Sequence, residues 1–320
     1  MGEKAEFREA IASQPDWMGK AAKLAADALA AHPKVPWSPG ETVAVVGMGS
    51  STNAGAVFVA ALREIGVRAI NLDASAVARF PEGYKPADHV IVVSESGRSP
   101  EPIAAAARLG VEPIVVTNDP TSPVAAGARL VAPLGGFVDS GVYTIGYTTT
   151  LVALASIAEA FGATFVDPAT LAGVADMALA RYAAGASSLA ANLDERRSLD
   201  IVGQGPSAGS AQAVALLFRE ACGMATAPFE TLQYLHGPME SCGPHTATML
   251  FGDGRENGIA AQLRDASTLV IQFVAQFGAV PYAAAVEEII FAQLLAAELA
   301  GQRGIKVGEF RFPQPDTKLK

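Results

Sequence analysis

A chain of 320 residues, half of them hydrophobic and 17% charged, is long enough for two domains that each bury a core and too apolar to remain disordered. Its formal net charge of -9 excludes the basic field that nucleic acid or an anionic membrane would require, while a small anion held by N–H and hydroxyl groups stays compatible. With Cys222 and Cys242 as its only cysteines, the chain has neither a disulfide framework nor a thiolate metal site, so a reducing cytoplasm and no metal or other cofactor are expected.

Residues 1–40 read as an N-terminal helical segment, with helical patterning from Phe7 to Ala31. The polar start Met1 to Arg8 lacks the apolar centre of a secretory leader. Thr42 to Val46 reads as a strand, Gly47-Met48-Gly49-Ser50-Ser51 as its turn, and Ala54 to Ile65 as the helix that follows. The apolar run Val90 to Val93 leads into Ser94-Glu95-Ser96-Gly97-Arg98-Ser99-Pro100-Glu101. There Ser99 can cap a helix and Pro100 suits its first position, so serine hydroxyls and free N–H groups converge as they would around a phosphate. These elements assign 41–165 to a first α/β domain.

Asp167 to Asn192 predicts a helical connector, 166–196, that ends at the charged Asp194-Glu195-Arg196-Arg197. A second α/β domain, 197–307, opens with the strand Leu199 to Val202 and the helix Gln212 to Ala221. Its most apolar stretch, Leu269 to Val286, is interrupted by Gln272, Gln276, Gly278 and Pro281, so no membrane span is expected. Residues 308–320 form a tail.

The two halves share a pattern. Val46-Gly47-Met48-Gly49-Ser50-Ser51 and Leu62-Arg63-Glu64 are echoed by Val202-Gly203-Gln204-Gly205-Pro206-Ser207 and Phe218-Arg219-Glu220, at an offset of 156 positions from Gly47 to Gly203. Gly97 and Gly254 stand 157 apart, which points to a duplicated domain. The second half has Phe251, Asp253 and Asn257 near the places of the serines, so only the first half is expected to bind phosphate.

In this order, Gly49-Ser50-Ser51, Ser94 to Ser99, Thr117-Asn118 with Ser122-Pro123, Tyr147-Thr148-Thr149-Thr150-Leu151 and His236-Gly237-Pro238 resemble the sugar isomerase (SIS) family of phosphosugar-binding domains. The tandem arrangement is similar to the isomerase half of glucosamine-6-phosphate synthase. The resemblance implies two tandem doubly wound parallel-sheet domains, flavodoxin-like, with flanking helices. It implies phosphate-binding positions at Ser51, Ser94, Ser96 and Ser99, with Gly49, Ser50, Glu95 and Val142 as further substrate contacts. Glu220 falls at the family's catalytic glutamate and His236, 16 residues on, at its ring-opening histidine. The tail matches one that supplies an active-site lysine, here Lys320 or Lys318.

Two departures alter the sugar contacts: Leu217 stands in place of another active-site lysine, and Glu95 in place of the usual glutamine. A glutamine-hydrolysing domain has no room in the chain, so synthesis of an amino sugar from glutamine is not expected. What the resemblance implies is a phosphosugar isomerase/deaminase working through an enediol or enamine on a hexosamine or hexose 6-phosphate. The alternatives are a fructosamine 6-phosphate deglycase and a non-catalytic phosphosugar sensor. The implied assembly is a homodimer with shared active sites, His236 arriving from the neighbour. Plain structural alternatives stand beside these roles: an ordinary helix cap for the serine loop, a solvated carboxylate for Glu220 as for Glu64, a turn for His236, and packing for Cys242.

Overall fold

The computed structural model describes residues 4–32, 37–38, 40–312, 314 and 316–317. Two compact units divide the chain: one comprises Ser13–Val138, Ile145–Ala172 and Arg311–Lys320, the other Met1–Ala12, Asp139–Thr144 and Gly173–Phe310.

The first unit is built on five strands, β1 (Thr42–Gly47), β2 (Arg68–Asp73), β3 (His89–Val93), β4 (Ile114–Thr117) and β5 (Leu130–Pro133). All pair in parallel, in the order β2-β1-β3-β4-β5. Short β-branched runs such as Val43 to Val46 and Val90 to Val93 suit a sheet covered on both faces, and all of these residues are buried. Their crossovers are the helices α2 (Ser50–Glu64), α3 (Ala74–Val77) and α4 (Pro100–Arg108). Helix α5 (Ile145–Ala160) is buried from Ile145 to Ala158. It tolerates Thr149, Thr150 and Ser156 there because their hydroxyls donate to the carbonyls of Ile145, Gly146 and Val152 one turn back. In α1 (Phe7–Ala30), which runs as one helix through Pro15, Gln14 is buried and accepts the Thr148 hydroxyl at 3.1 Å.

The second unit holds four parallel strands, β6 (Ser198–Gly203), β7 (Ala225–Glu230), β8 (Thr246–Phe251) and β9 (Leu269–Phe273). Their order, β7-β6-β8-β9, matches that of the first four strands. The helices α6 (Leu171–Asp194), α7 (Pro206–Cys222), α8 (Thr231–Tyr234), α9 (Arg255–Asp265) and α10 (Pro281–Gln302) complete the chain. On α10 the buried Glu287 accepts the N–H groups of Gln276 and Phe277 and the Tyr182 hydroxyl. Its neighbour Glu288 accepts the Ser207 hydroxyl at 2.5 Å.

The turn after the first strand of each sheet is the same object twice. Gly49 has φ 55 and ψ -126, and Gly205 has φ 57 and ψ -128, backbone positions that suit glycine. A Cβ on Gly47 would lie 3.1 Å from Ser51, and one on Gly203 would lie 2.6 Å from the Ser207 carbonyl. This geometry starts α2 at Ser50 and α7 at Pro206, earlier than the expected Ala54 and Gln212. The helix begins as soon as the glycine has turned the chain, and Pro206 already has a helical φ. Ahead of α6, a short 3-10 turn over Pro168–Thr170 is capped by the Asp167 carboxylate, which accepts the Ala169 N–H.

Candidate active site

In the first sheet the strand order reverses at β1, whose partners β2 and β3 lie on opposite sides, and the loops at the carboxyl ends of β1 and β3 stand at the position where open parallel sheets bind ligands. Gly49, Ser50 and Ser51 follow β1 and open α2, while Ser94 to Ser99 follow β3 and open α4. Ser94 is buried, and Ser50, Ser51, Ser96 and Ser99 are half-buried. The hydroxyls of Ser51, Ser94 and Ser99 take no hydrogen-bond partner among the described residues. Ser99 occupies the N-cap position of α4 as expected, yet its hydroxyl does not cap the helix. That oxygen is left for something else.

The loop itself is braced from behind. Thr117 donates to the Glu95 carbonyl at 3.2 Å, the Asn118 N–H donates to the same carbonyl at 2.8 Å, and the Asn118 side chain reaches the Glu95 carboxylate at 3.3 Å. Asn118 Oδ1 accepts from Gly136 and Phe137, which fixes the amide. Gly97 has φ 64, and a Cβ there would lie 1.9 Å from Ser122 Oγ and 3.0 Å from Thr117 Oγ1, so glycine is required by both conformation and space. Arg98 turns away to Asp119 at 3.2 Å. Bonds from Thr121, followed by Arg98, hold the Asp119 carboxyl below the usual carboxylate range. An anion here is met by alcohols and two helix N-termini more than by a side-chain cation.

The matching turn of the second sheet is furnished differently. Glu256, in the first turn of α9, is 3% exposed and accepts the Thr231 hydroxyl at 2.5 Å. Its carboxylate lies 3.3 Å from where a Cβ on Gly252 would be.

Glu220 lies in the last turn of α7, half-buried and without a hydrogen-bond partner among the described residues. Burial pushes its carboxyl up to about 7, into the range of a proton shuttle. Glu64, its counterpart on α2, is exposed. His236 follows α8 and is exposed; its N–H donates to the Gln233 carbonyl at 3.0 Å. Gly237 beside it has φ 126. Upstream, Glu230 caps α8 by accepting the N–H groups of Leu232 and Gln233 at 2.8 and 2.9 Å.

Within the second unit β7 and α8 lie between these two residues in the chain. Helix α7 returns from the carboxyl edge to the amino edge, where Glu220 sits, and β7 then crosses back to the carboxyl edge before His236.

Val142 lies in the stretch 139–144, its side chain 1% exposed and its carbonyl accepting the Ser140 hydroxyl. Leu217 is buried on α7. Lys318 and Lys320 lie outside the described residues. Polar groups that the sequence left unremarked cluster below the His236 turn: Asp200 on β6, Tyr234 on α8 and Thr248 on β8, joined to Cys242. The signal that could have found them is the contrast at the repeat offset, where Ala44 matches Asp200. Among the described residues no helix is long and apolar enough to cross a membrane.

Known proteins share this fold. Residues 38–134 match the family model of the SIS domain. No curated protein sequence matches the chain. Among solved structures, it is similar to glucosamine-6-phosphate deaminase from Thermotoga maritima, at 20% identity over 94% of this chain and 96% of that one, with a TM-score of 0.78. It is similar also to the C-terminal domain of glucosamine-fructose-6-phosphate aminotransferase from Francisella tularensis, at 16% identity over 96% and 98%, again with a TM-score of 0.78. At these identities the likeness is one of fold. The family match spans the glycine turn after β1 and the serine loop behind β3.

Proposed function

We propose that the protein is a phosphosugar aldose–ketose isomerase/deaminase acting on a hexosamine or hexose 6-phosphate, and that its second sheet is a second SIS domain adapted for chemistry. The observation that carries the reading is the serine cradle at the strand reversal of the first sheet, with the hydroxyls of Ser51, Ser94 and Ser99 unspent. A phosphate dianion held there acts as a handle, so binding energy remote from the reacting carbons is used for orientation.

The half-buried Glu220, with its carboxyl near neutrality, turns binding into chemistry. As a carboxylate it removes the proton from C2 of the open-chain aldose while the carbonyl oxygen gains one, giving an enediol. The same group returns a proton to C1 while the C2 hydroxyl gives its own up to solvent, which completes the ketose; with an amine at C2 the corresponding enamine gives a C2 imine, which water hydrolyses to the ketose and ammonia. His236 protonates the ring oxygen as the ring opens, and Lys320 or Lys318 of the tail steadies the developing oxyanion. We assign His236 of each site to a second copy, in a homodimer with shared active sites, because in the family that the motifs resemble the ring-opening histidine comes from the neighbouring subunit. Two free thiols, Cys222 and Cys242, suit a reducing cytoplasm.

The test is proton exchange at C1 or C2, followed by NMR in D2O, with glucosamine 6-phosphate, fructose 6-phosphate and fructosamine 6-phosphate. Exchange with at least one of them, lost in Glu220→Gln, is expected. Binding without exchange would replace the enzyme by a phosphosugar sensor, and no binding would overturn the reading. Mixing Glu220→Gln with His236→Ala should restore part of the rate if the sites are shared, and no recovery would refute the sharing.

A further inference from the structure

The second sheet carries a polar cluster that its twin does without. Tyr234 Oη donates to Asp200 Oδ2 at 3.0 Å, lies 2.9 Å from Cys242 Sγ and 3.3 Å from Thr248 Oγ1, and Cys242 Sγ reaches the same Asp200 oxygen at 3.8 Å. Tyr234 and Thr248 are fully buried. No cation faces Asp200 among the groups that shift it: burial raises its carboxyl, and only Tyr234 and Cys242 offset the burial. An acid placed among strands with no counter-charge costs stability, so its presence calls for a reason.

The first sheet shows that the fold does not supply that reason. Counting back from the glycine ending each strand, Asp200 on β6 occupies the place of Ala44 on β1. As last residues of the short helices α8 and α3, Tyr234 and Val77 correspond. By strand pairing, Thr248 opposite Asp200 corresponds to Val90 opposite Ala44. Ala44, Val77 and Val90 are all buried in one apolar cluster. The same backbone frame therefore closes with three apolar side chains in one sheet and with Asp, Tyr and Thr in the other.

What the second sheet has in addition is the turn bearing His236. Tyr234 stands two residues before His236 and Cys242 six residues after it, so both ends of the turn are fastened to one carboxylate on β6. We infer that Asp200, Tyr234 and Cys242 form a staple that holds the His236 turn in a fixed position. They are positioning residues for the ring-opening histidine, a role that rests on the function proposed above. Tyr234 supplies the central bond, because its hydroxyl donates to Asp200 and accepts from Cys242 or Thr248. Thr248 closes the floor of the cluster.

Hydrogen–deuterium exchange over residues 235–241 tests this without any substrate, and steady-state kinetics tests its consequence. Tyr234→Phe removes one oxygen and keeps the buried ring. It should speed exchange across 235–241 about tenfold and lower kcat by about tenfold to a hundredfold, with KM changed by less than about twofold. Asp200→Ala should behave likewise. Asp200→Asn and Cys242→Ser, which keep an acceptor for Tyr234 and a hydroxyl for the thiol, should stay close to wild type. Unchanged exchange over 235–241 in both Tyr234→Phe and Asp200→Ala would overturn the staple. A rise in exchange spread equally over β6 and β8 would also overturn it, by showing a role in the fold at large. A wild-type protein inert toward every phosphosugar would remove the function, while the exchange measurement would still decide whether the turn is stapled.

Discussion

Replacing Glu220 by glutamine is expected to abolish proton transfer and to stabilise the protein, by an amount that grows with pH. Burial raises its carboxyl from the ordinary 4.5 to about 7. Because the folded value lies above the unfolded one, folding is unhindered while both states are protonated, below about pH 4.5. The penalty builds as pH rises between the two values and is constant above pH 7. A gap of that size corresponds to about 3 kcal/mol at pH 8 and less than about 1 kcal/mol at pH 5, and solvent at the half-exposed edge of the side chain lowers both. Glutamine has no charge to desolvate, and its own burial cost does not depend on pH. The stability difference between Glu220→Gln and wild type should therefore rise by about 2 kcal/mol from pH 5 to pH 8. In melting temperature that is about 4–8 °C if each unit unfolds as a domain of ordinary size. Urea unfolding of both proteins at the two pH values reads the difference directly, and the other carboxyls, Glu288 among them, cancel in the subtraction. A difference that stays constant across this range would show that Glu220 is not held in its neutral form, and the argument for it as a base tuned by burial would fail. C1 or C2 proton exchange by the same variant should drop by about 10²–10⁴-fold.

The rate should carry the same signature: kcat/KM is expected to climb with pH and level off above about pH 7, as Glu220 becomes a carboxylate, and a profile flat from pH 5 to pH 8 would contradict this. Gly97→Ala puts a methyl group 1.9 Å from Ser122 Oγ at a φ of 64; it should lose phosphosugar binding in calorimetry and cost about 1–3 kcal/mol of stability. Ser99→Ala, whose hydroxyl makes no cap bond, should weaken phosphate binding about tenfold or more while leaving the melting temperature within a degree or so. Ser207→Ala is the converse control. Its hydroxyl bonds the buried Glu288, so stability should fall by about 1–3 kcal/mol and phosphate affinity should not change.

The sequence is legible where backbone geometry demands a residue type, and opaque where two side chains meet across the fold. Gly47, Gly49, Gly203 and Gly205 disclose the two turns because little else fits there. The same glycines explain why the helix starts were placed late, since hydrophobic spacing locates the apolar face of a helix and not its first turn. Ser94, Ser96 and Ser99 are legible as a cradle, but the brace from Thr117 and Asn118 onto Glu95 depends on how β3 and β4 align, which the chain does not spell out. Asp200 within Leu199-Asp200-Ile201-Val202 gives no sign of its partners; only the register of β6 against β8 and the fold of α8 bring Tyr234 and Thr248 onto it.

Two sheets with the same strand order offer a way past this opacity, because each is a measurement of what the other needs for folding alone. Where both halves agree, as at Gly47 and Gly203, the frame accounts for the residue. Where they differ, as at Ser51 beside Ser207, Glu64 beside Glu220 and Ala44 beside Asp200, the frame is satisfied either way and the difference must answer to something else. On the first sheet that remainder is a set of unspent hydroxyls at a strand reversal. On the second it is an unpaired carboxyl near neutrality and a polar cluster under a histidine turn, each of which lowers stability and would be lost in a sequence shaped by folding alone.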